Sequence, residues 1–123
     1  MKQFILTAII TLIASMAFSQ KAQTSSFKVF AVCGMCEERI EKALDTKGVK
    51  IADFDVETGI CTVTYNPKKI IELDLHQLVA GVGHDTEKIK ATDEAYQALH
   101  SCCKYREGGK SCGNGDNDNH HNE

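Results

Sequence analysis

The sequence has no tryptophan, a single proline and no surplus of positive charge. Each shortage removes a class of function. Fourteen lysines and arginines against seventeen acidic residues leave a formal charge of −3. A mildly acidic chain without a basic patch gives no footing for nucleic acid. The one proline, Pro67, follows Asn66 in a strand-breaking turn. No residue is therefore available as the cis-proline of a thioredoxin-like enzyme. Internal repeats are absent, and the one strongly apolar run, Phe4 to Ile13, is short for the roughly 20 residues that a bilayer span needs.

That run reads instead as part of an export signal over residues 1–20. Lys2 supplies the positive start, Phe4 to Ile13 the apolar middle, and Ala17-Phe18-Ser19 a small-x-small cleavage pattern. The cut is expected after Ser19 or Gln20, leaving no membrane span and a periplasmic or secreted chain. No cysteine follows that point closely, which argues against a lipid-anchored mature end. Export places the chain in an oxidising compartment, where cysteine pairs can exist as disulfides.

Against these shortages stand six cysteines in 123 residues. Two of them, Cys33 and Cys36, lie in Cys33-Gly34-Met35-Cys36, between a β-rich run and the start of a helical pattern. A helix N-terminus presents unpaired N–H groups and partial positive charge, which favour the thiolate. Two thiolates facing one point suit a soft ion such as Cu(I), Hg(II), Zn(II) or Cd(II). A disulfide or a redox pair at the same spacing is the competing reading.

Lys21 to Ser26 is polar and reads as a flexible lead-in. Phe27 to Val32 alternates as a strand. Cys36 to about Lys47 has helical spacing through Ile40, Ala43 and Leu44, with Gly48 as its stop. Val49 to Val56 and Ile60 to Tyr65 form a hairpin around Glu57-Thr58-Gly59. Asp74 is expected to cap a helix over Leu75 to Ala80, and Thr86 to Ala91 to add a last strand. The order is that of an α+β, ferredoxin-like βαββαβ sandwich, with two helices on one face of a four-stranded antiparallel sheet. Beyond it, Asp93 is expected to cap a short helical extension over 92–106, and 107–123 is a Gly/Asn/Asp/His tail too polar to fold alone.

Taken together, residues 27–91 resemble the heavy-metal-associated domain of copper chaperones, copper-exporting ATPases and periplasmic mercury-binding proteins. The resemblance rests on Cys33-Gly34-Met35-Cys36, Arg39-Ile40-Glu41-Lys42-Ala43-Leu44, Gly48-Val49, Val56-Glu57-Thr58-Gly59, Val63-Thr64-Tyr65-Asn66-Pro67 and Gly83-His84-Asp85. Ala31 stands where the family usually has a methionine. The resemblance implies that Cys33 and Cys36 ligate the ion in near-linear geometry and pass it to a partner's thiolates. That describes a carrier rather than an enzyme, with a metal-transporting ATPase or another metal-handling protein as partner.

The remaining candidates divide by chemistry. Cys61 shares a strand face with Val63 and Tyr65 and reads as core. His84 follows Gly83 in a loop expected beside the cysteines, where it would tune the ion or stand in solvent. His76 reads as surface. His100, Cys102 and Cys103 make a second soft-metal site, or a flap adding ligands to Cys33 and Cys36; a disulfide to Cys112 is the alternative. The leading function is an exported protein that captures or ferries Cu(I) or another soft ion. A thiol–disulfide protein, or a module docking on a metal transporter, are the competing classes.

Overall fold

Strands follow the two-residue alternation of apolar and polar side chains. The computed structural model describes residues 21–108 and sets β1 at Gln23–Lys28, β2 at Val49–Asp55 and β3 at Ile60–Tyr65. β3 lies in the middle, antiparallel to both neighbours. Phe27, Phe54, Cys61, Val63 and Tyr65 turn inward and are almost wholly buried. On the outer face the hydroxyls of Thr24 and Thr64 meet at 3.0 Å, and those of Ser26 and Thr62 at 3.1 Å. These cross-strand pairs explain why β1 begins at Gln23, inside the stretch expected to be a loose lead-in. It also ends at Lys28 rather than Val32; Phe30 and Val32 stand exposed.

The first helix, α1, spans Gly34–Leu44 and buries Cys36, Ile40 and Leu44 at four-residue spacing. It stops at Asp45, before the expected end. Gly48, with φ of +101°, belongs to the turn into β2 and not to the helix cap. The second helix, α2, spans Glu72–Gly81. Asp74 is not its N-cap but its third residue; the carboxylate accepts from the Ile71 N–H at 3.3 Å. His76, expected on the surface, is fully buried. Its ring packs 4.1 Å from that of Phe27, and its Nδ1 lies 2.6 Å from Thr86 Oγ1. Both helices pack together over the sheet and close the ferredoxin-like core.

The fourth strand is reduced to one bridge, Val29 to Thr86, on the free side of β1. The Phe30 N–H donates to Asp85 O and the Glu87 N–H to Lys28 O, as an edge strand would. The ladder then stops because Thr86 turns the chain on itself. Its Oγ1 accepts from the N–H groups of Lys88 and Ile89, and its own N–H donates to Ile89 O at 2.8 Å.

The extension begins at Thr92, whose hydroxyl accepts from the Ala95 N–H at 3.2 Å. Thr92, rather than Asp93, caps the short helix α3, Asp93–Gln97. Two 3₁₀ turns follow, Ser101–Cys103 and Tyr105–Glu107. Tyr96, Leu99 and Cys103 are buried and join the same core as the sheet. Residues 1–20, expected to be an export signal, and the tail beyond Gly108 with Cys112 lie outside the described residues.

Candidate metal centre

Cys33 is the N-cap of α1, in extended conformation with φ −153° and ψ 169°. Its carbonyl accepts from the N–H groups of Cys36 at 3.0 Å and Glu37 at 3.3 Å. This turn folds Cys36 back under Cys33, so the two Sγ atoms stand 3.3 Å apart. A disulfide needs about 2.05 Å; the pair is in thiol form.

A third sulfur comes from the extension. Cys103 Sγ lies 3.5 Å from Cys33 Sγ, and the sulfurs of Cys33, Cys36 and Cys103 are all within 4.8 Å of one another. Cys36 and Cys103 are fully buried, while Cys33 is half-buried at the mouth. Among the described residues these three make the sole cluster of three or more metal-ligating groups. Burial works against ionisation of Cys33. Hydrogen bonds from the Cys36 side chain and backbone, from Cys103 Sγ and from the Met35 backbone outweigh it and hold this thiol below its ordinary value. Cys103 moves the opposite way, first because it is buried and then because it faces the sulfurs of Cys36 and Cys33. Cys33 therefore ionises before Cys103.

Of the other predicted residues, Cys102 borders this cluster, its sulfur 3.9 Å from Cys103 Sγ, while His100, His84 and Cys61 lie apart from it. Cys102 is disulfide-bonded, and its sulfur rests 3.7 Å from Met35 Sδ at the rim. His100 is exposed, because α3 ends before it and the chain passes through it extended. Of the two arrangements expected for His100, Cys102 and Cys103, the geometry matches the flap that brings a thiol, Cys103, to Cys33 and Cys36, with His100 set apart. His84 is fully buried, its Nδ1 2.9 Å from Phe30 O. A carbonyl only accepts, so Nδ1 carries the proton and Nε2 keeps a lone pair without a hydrogen-bond partner. Burial lowers its pKa first, and the Arg39 charge adds to that. His84 lies under the Tyr105 ring, 5.5 Å between centroids, and outside the sulfur cluster. Cys61 is buried in β3, where desolvation, with the charges of Glu41 and Asp53, pushes its thiol up to about 12.

What the sequence did not disclose is the clamp that holds the extension. Arg106 grips both Asp85 oxygens, Nη2 to Oδ1 at 2.7 Å and Nε to Oδ2 at 3.1 Å. It also reaches Ala91 O and Asp93, and its guanidinium lies over the Tyr96 ring, 4.4 Å from the centroid. Tyr105 donates its hydroxyl to Gly83 O at 3.0 Å and accepts from the Asp85 N–H at 2.8 Å. The only signal was composition: a Gly-His-Asp loop and a Tyr-Arg pair 20 residues later, with nothing in their spacing to join them.

Comparison with known proteins places residues 26–85 in the heavy-metal-associated domain family. A zinc-transporting ATPase of Synechocystis sp. is 36% identical over 61 residues, 49% of this chain but only 8% of the ATPase. The N-terminal domain of a potential copper-translocating P-type ATPase from Bacillus subtilis, solved in its Cu(I)-loaded state, is 31% identical. The match covers 54% of this chain and 85% of that one, with a TM-score of 0.52. Oxidised MerP from Ralstonia metallidurans CH34 is 26% identical over 55% of this chain and 96% of its own, also at 0.52. The extension that carries Cys103 lies beyond residues 26–85, which the family domain covers. The thiol-lined helix start, the fold and these likenesses agree: this chain belongs to the heavy-metal-associated domain family, with its domain at residues 26–85.

Proposed function

We propose that this protein is an exported carrier of a soft metal ion, Cu(I) first, held by the thiolates of Cys33 and Cys36. The observation that carries the reading is the 3.3 Å approach of those two sulfurs at the N-terminus of α1, inside a heavy-metal-associated domain. Thiolates are soft donors, and a site of sulfur alone selects Cu(I), Hg(II) or Cd(II) over hard cations. The Cu(I)-loaded Bacillus subtilis domain supports copper, and the Synechocystis ATPase keeps zinc as the competing cargo. A metal-transporting ATPase is the natural receiver. Phe30, Val32 and Met35 stand exposed near the cysteine loop and offer it an apolar rim. No helix among the described residues is long and apolar enough to cross a membrane. The export signal proposed for residues 1–20 would send the chain to the periplasm or the medium.

The test is a competitive Cu(I) titration without oxygen, on the unmodified chain and on Cys36→Ser. Tight one-to-one binding that Cys36→Ser loses is expected. Weak binding by both would overturn the carrier reading in favour of thiol–disulfide exchange. That second reading is favoured by the lowered pKa of Cys33 beside a second thiol. Mass spectrometry of the exported chain checks the cut after Ser19 or Gln20.

A further inference from the structure

The extension does more than cover the domain. From the sulfur geometry and the clamp we infer that Cys103 is a third metal ligand, so that the ion is held by three thiolates rather than two. The inference rests on the soft-metal reading of Cys33 and Cys36 and extends it beyond the family domain.

Geometry is the first argument. With metal–sulfur bonds of about 2.3 Å, two sulfurs in line stand about 4.6 Å apart. Three around an ion stand about 4.0 Å apart in a plane, and about 3.8 Å at the corners of a tetrahedron. Cys33 Sγ is 3.3 Å from Cys36 Sγ and 3.5 Å from Cys103 Sγ. The three already make a small triangle, and opening it by roughly half an ångström admits the ion. A linear pair would instead require Cys33 and Cys36 to part by more than an ångström.

Much of the extension also serves to place this one sulfur. Cys103 lies in a 3₁₀ turn closed by its own N–H donating to His100 O at 2.8 Å. Tyr96 and Leu99 seat the chain before it, and Tyr105 and Arg106 bolt it to Gly83 and Asp85 after it. Gly83 has φ of +99°, and a Cβ there would stand 2.7 Å from Ala95 O and 2.9 Å from Leu99 Cγ. The backbone at Gly83 is thus cut away to let the extension close over the cysteine loop. A buried cysteine often serves as a small hydrophobe, as Cys61 does here. Cys103 differs because its sulfur, although in the core, meets the sulfurs of Cys33, Cys36 and Cys102.

The ligand class follows. A three-thiolate pocket takes a soft ion that accepts trigonal sulfur, and it rejects hard cations that require oxygen. It also encloses the ion more than a two-thiolate loop does. Release to a partner then requires Cys103 to leave as well as Cys33 and Cys36.

X-ray absorption at the copper edge tests this on the full chain loaded with one equivalent of Cu(I) without oxygen. Three sulfurs per copper are expected in the unmodified chain and two in Cys103→Ser, with affinity lower by at least about tenfold. Two sulfurs in the unmodified chain would overturn the inference and leave the Cys33 and Cys36 carrier standing. No tight binding by the unmodified chain would overturn both. The count on the unmodified chain stands even if Cys103→Ser misfolds. Hydrogen exchange adds a second readout: Cu(I) is expected to slow exchange over residues 99–106. Unchanged exchange there would count against Cys103 as a ligand.

Discussion

Gly83 and Cys61 show how single side chains set limits on this fold. At Gly83 the left-handed backbone alone costs an L-residue about 1–2 kcal/mol. The approach of Ala95 O and Leu99 adds a clash. Gly83→Ala is expected to lower stability by at least about 2 kcal/mol, read as a drop in urea midpoint, and to loosen the extension before the sheet. Cys61 has a different effect. The native state keeps its proton up to about pH 12, while an unfolded chain releases it near 9. Between those values the unfolded state binds fewer protons, so stability falls as pH rises. The loss reaches on the order of 4 kcal/mol by pH 12. Cys61→Val, which keeps the volume and removes the proton, is expected to flatten that alkaline limb in denaturant titrations at pH 9 to 11.

Among elements, the extension is held most narrowly. Burial opposes ionisation of Asp85, but the Arg106 guanidinium and the Ala91 N–H hold its carboxyl below the usual range. A bidentate, largely shielded pair of this kind is stronger than a surface bridge. Arg106→Gln is expected to cost roughly 1.5–3 kcal/mol, concentrated in opening of residues 92–107. Faster proteolysis there, with exchange of β3 amides unchanged, is the measurement that checks it. The same element marks where sequence reading stopped. The helix and hairpin elements, the buried faces of β2 and β3 and the Cys33 and Cys36 loop were legible because period-2 and period-3.6 patterns are local. The start of β1 was not, since Thr24 and Ser26 gain their place by pairing with β3. The fourth strand was over-read, because Thr86 bonds to its own neighbours instead of continuing the ladder. The Arg106–Asp85 clamp was invisible, since two charges 21 residues apart carry no periodicity. His76 was misplaced for a similar reason: its surroundings come from Phe27 and Thr86, on other elements.

On the scale of the molecule, the buried titratable groups bound the pH range. His76 and His84 have lowered pKa values, chiefly through burial. Both are neutral in the fold, while an unfolded chain takes up protons as pH falls through 6.5. Stability contributed by keeping them neutral is present above that value and lost progressively below it. Cys61, Cys103 and Tyr105, all raised, act on the alkaline side. The melting temperature is expected to peak between about pH 6.5 and 9 and to fall on both sides, as a pH series of thermal melts would show.

The clamp between Arg106 and Asp85 also bears on timing. Cys103 reaches the other two sulfurs along its own chain, so its effective concentration there is of millimolar order. A dilute thiol from outside competes poorly against a ligand that returns each time it leaves. A dithiol receiver does better, since its second sulfur enjoys the same advantage once the first has docked. How long an ion stays would then follow how often Arg106 lets go. The protein would behave as a reservoir that ignores scattered thiols and empties into a docked acceptor.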